Sequence, residues 1–165
     1  TNYQLLTTNS SMLSSIISGT THGIHGKIIT VEVDIARGFP GWSIVGLPDT
    51  GVKESKERIK TAINNSHLDF PSTYHITVNL APADIPKEGT AVDVPIAVGL
   101  LLNSYGLPPS PKTSLFIGEC GLDGAIRPVG GILPIALSAK KLGITTLFVP
   151  ELNADEALLV WRVCC

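Results

Sequence analysis

The chain has 165 residues, 44% of them apolar and 16% charged, where an average soluble domain has about a quarter charged. Such a composition excludes a disordered chain, and the length suffices for one domain with a proper core. A net charge of −2 gives no general attraction to nucleic acid or to an acidic membrane, although it leaves room for a local basic patch.

No apolar run approaches the roughly 18 residues of a membrane span. The longest, Val94 to Leu102, is interrupted by Pro95 and Gly99, so no membrane partner is expected. Three cysteines, Cys120, Cys164 and Cys165, make neither a disulfide framework nor a metal set. A reducing, cytoplasmic setting is expected, with no secretory leader. Both ends read as foreign. Residues 1–11 precede the only methionine, Met12, and are expected to be an added segment; residues 161–165 break the preceding pattern and are expected to be a tail.

Strands come first. In "KIITVEVDIA" the branched residues Ile29, Val31, Val33 and Ile35 alternate onto one face. "WSIVGL" is a further short strand, entered through "GFPG". A helix follows with Asp49 as N-cap and with Val52, Ile59, Ala62 and Ile63 at helical spacing. Its wet side is expected to carry the pairs Lys53–Glu57 and Glu54–Arg58. "YHITVNL" is the next strand, and Val94 to Leu102 form a helix without a wet face, hence one packed between other elements. "SLFIGECG" and "GAIRPV" read as two strands joined by a turn. "GGILPIALSAKKLG" is a helix with Pro134 in its first turn and Gly143 just past its end. "TTLFVP" is the final strand, and Asn153 is expected to cap a last helix. The class is α+β with a mixed sheet and packed helices, in one domain over residues 12–160.

Few motifs carry chemistry. G-x-x-x-x-G-K-[ST] is absent, so no phosphate loop of that kind is present. The glycines of "GECGLDGAIRPVGG" lack dinucleotide-binding spacing and read as turns. His22 and His25 are three apart in a glycine-rich turn with no further ligands of diagnostic spacing, and His75 has no evident nucleophile or carboxylate partner. No metal site is expected.

"PKEGTAVDVPIAVGLL" is different. Asp84, Lys87, Glu88 and Asp93 cluster around Gly89, and Asp93 stands at the mouth of the apolar helix. One reading is a site for an oxyanion or acidic ligand at the helix N-terminus; the other is a helix capped by Asp93 beside a solvated charged turn. Lys53, Lys56, Arg58 and Lys60 likewise form either a nucleic-acid or partner face or a solvated helix surface.

"VEVDIARGFPGWSIVGLPDTGVKESKERIKTAI" followed by "ITVNLAPADIPKEGTAVDVPIAVGLL" resembles the N-terminal domain of the magnesium-chelatase-like AAA+ ATPases of the ComM/YifB type, from Met12 to Val160. That domain in turn resembles the Lon proteolytic domain, which implies a ribosomal-protein-domain-2-like fold. The Lon turn is Pro-Lys-Asp-Gly-Pro-Ser-Ala-Gly; here it runs Pro86, Lys87, Glu88, Gly89, Thr90, Ala91, Val92, Asp93. Lon's Gly-Gly-Leu-Lys becomes Gly130, Gly131, Ile132, Leu133. The resemblance thus places Ala91 at the serine position and Leu133 at the lysine position. A methyl and an isobutyl group supply neither nucleophile nor base. Thr90 is one residue off as an alternative nucleophile, and Lys140 and Lys141 lie roughly 10 Å along the helix from Leu133.

The resemblance further implies a cytoplasmic hexameric parent acting on DNA by branch migration in recombination during natural transformation. ATP and Mg would belong to an AAA+ module of the same polypeptide, and no cofactor to this stretch. The candidate ligand residues are Lys87, Glu88, Asp93, Lys53, Lys56, Arg58 and Lys60. An ATP-dependent serine/threonine-type peptidase with a non-standard nucleophile is the alternative.

Overall fold

A computed structural model describes residues 12–161. The expectations placed on residues 1–11 and on Cys164 and Cys165 lie outside the described residues. Strand β1 (Met12–His22) and strand β2 (His25–Ala36) form a long antiparallel hairpin, paired from Met12↔Ile35 to His22↔His25. Strand β3 (Gly41–Val45) leads into helix α1 (Thr50–Lys53) and helix α2 (Ser55–Asn65). After strand β4 (His75–Ala81) comes helix α3 (Asp93–Ser104). Strands β5 (Ser114–Phe116), β6 (Glu119–Cys120) and β7 (Ile126–Arg127) precede helix α4 (Ile132–Lys141). Strand β8 (Thr146–Phe148), a 3-10 turn at Glu151–Asn153 and helix α5 (Ala154–Leu158) complete the chain.

Six strands form one sheet in the order β3-β4-β2-β1-β5-β8, with β6 and β7 in a separate hairpin. β1, β2 and β4 pair antiparallel, whereas β3–β4, β1–β5 and β5–β8 are parallel. The sheet is mixed, and the class is α+β as the sequence implies.

Alternation along the strands assigns the two faces. Ile16, Ile29, Val31, Val33, Ile76, Val78 and Leu80 are buried in one cluster with Val52, Ile59 and Ile63 and with Ile96 and Leu100 of α3. Ile17 and Ile28 point the other way, onto a second cluster with Ile132, Ile135 and Ala139 of α4. So α2 and α3 cover one face, and α4 covers part of the opposite one.

α3 approaches the sheet closely because residue 99 is glycine: a Cβ there would meet Val33 Cγ2 at 2.7 Å and Ser14 Oγ at 2.9 Å. The Ser14 hydroxyl donates to Gly99 O at 2.9 Å, and the Asn103 amide donates to Val33 O at 2.8 Å. These two bonds satisfy polar groups that an apolar slot would otherwise strand, each unmade bond costing about 1–3 kcal/mol. The helix is buried nearly all round, as its composition implies. At the end of α4, Gly143 is left-handed (φ 76°), its N–H bonds Lys140 O and the Ile144 N–H bonds Ala139 O, the Schellman pattern that stops a helix.

Three local expectations are corrected. "SLFIGECG" is split between two sheets, because Gly118 leaves β5 to bond Ala91 O and the Val94 N–H. Asn153 makes no side-chain cap; its amide exchanges two bonds of 2.9 Å with the Val129 backbone. The helix after Asp49 breaks at Glu54 into two pieces. Asp49 itself caps as read, accepting from the Val52 N–H at 2.7 Å.

Candidate functional site

The turn before α3 is pinned to the loop after β3 by its backbone. The Lys87 N–H bonds Leu47 O at 3.1 Å, and Lys87 O accepts from the Asp49 N–H at 3.0 Å. The second oxygen of Asp49 takes the Gly89 N–H at 2.9 Å. One carboxylate therefore starts α1 and holds the turn of the opposite segment.

Asp93 does not cap α3. The helix starts from Val92 without a side-chain cap, and Asp93 is its first residue, turned inward and fully buried. Arg58 meets it in a bidentate pair, Nε to Oδ2 at 2.7 Å and Nη2 to Oδ1 at 3.0 Å. The Cys120 N–H adds a third bond at 3.2 Å, and Arg58 Nη2 also donates to Gly51 O at 2.8 Å. Burial pushes the Asp93 carboxyl above the usual carboxylate range, opposed by the bonds from Arg58 and Cys120. Arg58 is raised in turn, chiefly by its bond to Asp93. Three donors, Arg58 Nε, Arg58 Nη2 and the Cys120 N–H, hold Asp93 in a charged pair that is costly to break. The Cys120 thiol is pushed up to about 12 by burial and by Asp93, so it stays protonated and inert.

Arg58 is thus absent from the wet side, and neither expected helix pair forms: among the described residues the one salt bridge is Arg58–Asp93. The sequence held a clue. Arg58 lies three residues after Ser55 and four before Ala62, both buried, so it falls on the interior stripe of α2.

The remaining candidates divide between interior and surface. Lys87 is completely buried and its ammonium donates to Pro82 O; burial lowers its pKa, with Asp84 opposing. Glu88 and Lys53 are exposed, and Lys56 and Lys60 are half-buried. Thr90 donates its hydroxyl to Glu119 Oε2 at 2.5 Å, a partner that sequence spacing did not indicate. Ala91 packs on the cluster that contains Ile132 and Ile135. The Leu133 N–H, in the first turn of α4, bonds Glu156 Oε1 at 2.8 Å. Lys140 donates to Val160 O at 2.9 Å. The Thr90 hydroxyl therefore meets a carboxylate, while Lys87 and Lys140 each donate to a backbone carbonyl. His22 and His25 are exposed register partners at the hairpin tip, and among the described residues no cluster of three metal-ligating side chains exists.

A second feature lies on the outer side of α2. Trp42, Phe70, Tyr74 and Pro40 line a surface hollow of about 130 Å³ with Lys56 and Lys60 along one wall. Trp42 and Phe70 stack at 6.3 Å with 29° between planes.

Comparison with known proteins settles the family. Residues 31–153 match the family described as subunit ChlI of Mg-chelatase. The chain belongs to this ChlI family. The ChlI-family chain is 41% identical over 149 residues to competence protein ComM of Haemophilus influenzae, covering 90% of this chain and 29% of that protein. It is 44% identical over 144 residues to YifB of Salmonella typhimurium, covering 87% and 28%. Lon protease of Geobacter metallireducens is more distant, 32% identical over 139 residues, covering 81% of this chain and 17% of that one. The chain spans under a third of the length of these relatives. The ComM/YifB and Lon resemblances read from the sequence stand. Among the described residues no helix is long and apolar enough to cross a membrane.

Proposed function

We propose that this ChlI-family chain is a non-catalytic, Lon-like N-terminal domain of a cytoplasmic, hexameric AAA+ ATPase, and that it contributes DNA contact or ring assembly to branch migration in natural transformation. One observation carries the non-catalytic part. The positions that match the Lon dyad hold Ala91 and Leu133, and the polar groups around the turn are matched to one another: Arg58 with Asp93, Thr90 with Glu119, Lys87 with Pro82 O. A serine–lysine mechanism needs a hydroxyl beside an amine of lowered pKa. Lys87 has the lowered pKa, but its ammonium is directed at a carbonyl.

ATP and Mg belong, in this reading, to another module of the same polypeptide, since these 165 residues carry no phosphate loop of the G-x-x-x-x-G-K-[ST] type. The DNA part is tested by fluorescence anisotropy with forked DNA, titrated with salt. Binding at low salt that weakens steeply with added salt is expected; no binding at low salt contradicts it and leaves a passive assembly domain.

One observation favours a second reading, a peptidase using Thr90. Its hydroxyl is held by the Glu119 carboxylate, a group able to orient an oxygen nucleophile or to accept its proton. Casein turnover by the wild type that disappears in Thr90→Ala, with fold retained, would establish this reading over the first.

A further inference from the structure

The hollow outside α2 sets aromatic side chains beside two lysines. Its walls are three aromatic side chains, Trp42, Phe70 and Tyr74, with Pro40 at the rim and with Lys56 and Lys60 one helical turn apart on α2. The volume, about 130 Å³, is well below the roughly 300–1,000 Å³ of a pocket for a whole ligand. It therefore admits one ring of a longer molecule. The walls are fixed beforehand. Trp42 sits in β3, paired with Ile76 in β4, and stacks on Phe70. The Gly41 N–H bonds Tyr74 O at 3.2 Å across the hollow's edge. A Cβ at residue 41 would lie 2.4 Å from the His75 ring, so a side chain there would have to displace that ring.

Aromatic faces beside lysines are the two components of a single-strand nucleic-acid site: a base stacks, and its flanking phosphates meet the cations. We infer that the Trp42–Phe70–Tyr74 hollow binds one base of an unpaired nucleic-acid strand, with Lys56 and Lys60 on the adjoining phosphates. The inference rests on the DNA-contact reading above and adds the strand form and the residues. Duplex DNA keeps its bases stacked inward and cannot fill the hollow, so unpaired strand is preferred. Charge complementarity singles out this occupant: two lysines and no carboxylate line the hollow.

The test is fluorescence anisotropy of the chain with labelled oligo-dT, and with a duplex of equal length, across a salt series. Wild type is expected to bind oligo-dT more tightly than duplex. Tyr74→Ala and Trp42→Ala are expected to weaken oligo-dT binding by about 5- to 150-fold, the worth of one stacked base. Because Trp42 also packs on the core, the surface double variant Lys56→Gln/Lys60→Gln serves as an independent arm. Its slope of log affinity against log salt is expected to flatten by about 1.4, that of two lost phosphate contacts on a single strand. Unchanged oligo-dT binding in Tyr74→Ala and in the lysine double variant overturns this site while leaving the DNA reading standing. Equal affinity for duplex, or occupation of the hollow by an acidic proline-rich peptide with no oligo-dT binding, also overturns it. Absence of any DNA binding by the wild type defeats the underlying reading and this inference with it.

Discussion

Helix α2 serves two regions of opposite character. Its inner side sends Arg58 to Asp93, where charge is buried, bidentate and matched. Its outer side sets Lys56 and Lys60 beside an aromatic hollow that remains open. The inner region occupies the place where the Lon resemblance puts peptidase chemistry, and its polar groups are consumed by one another. The outer region lies apart from the two short stretches that carry the Lon dyad pattern, and there the lysines and aromatic rings line an open surface hollow. In the proposed reading, the motif is kept as scaffold and the contacts move to the surface beside it.

The sharpest way to break this contrast is to remove a charge from each region. Asp93→Ala leaves Arg58 without its partner in a low-dielectric setting and is expected to cost about 3–5 kcal/mol. Urea unfolding reads this directly, and a loss below about 1 kcal/mol would mean the inner pair is not structural. The Lys56→Gln/Lys60→Gln variant should stay within about 0.5 kcal/mol of wild type in the same experiment. Asp49→Ala comes next. It removes the α1 cap and the Gly89 tie together, so about 1–2 kcal/mol should be lost.

Lys87 sharpens the inner region by its pH dependence. Its folded-state pKa lies below the ordinary 10.5, so over that interval the unfolded chain binds more protons than the folded one. Stability from this group therefore rises as pH increases toward 10.5 and is lost as pH falls through the lowered pKa. Lys87→Met keeps the volume and removes the titration. Its stability should be less dependent on alkaline pH, and a curve parallel to that of wild type would show that Lys87 does not titrate as described. The smallest effect concerns Cys120. Peptide-mapped alkylation at pH 8 should label it only on unfolding, since its thiol pKa is near 12; rapid labelling of the folded chain would contradict its burial.

Local patterning made much of this fold legible. Ile29, Val31 and Val33 alternate onto one buried face, and the run from Val94 reads as an enclosed helix because nothing on it is suited to water. Pairings set by distant segments were not legible. Asp93 is followed by an apolar helix and reads as its cap, but Arg58, 35 residues away, draws it inward. Asn153 turns to Val129 for the same reason. At the candidate site, the Lon-like motif draws the eye to Ala91 and Leu133, while the Glu119 partner of Thr90 and the ring cluster of Trp42, Phe70 and Tyr74 depend on strand order that no short stretch encodes.

The central claim is that the turn before α3 is a closed scaffold without peptidase chemistry. It is tested most directly by measuring casein turnover by the wild-type chain and by Thr90→Ala, with both shown to be folded. The account predicts no turnover above the buffer rate by either. Turnover by the wild type that vanishes on loss of the Thr90 hydroxyl would contradict it.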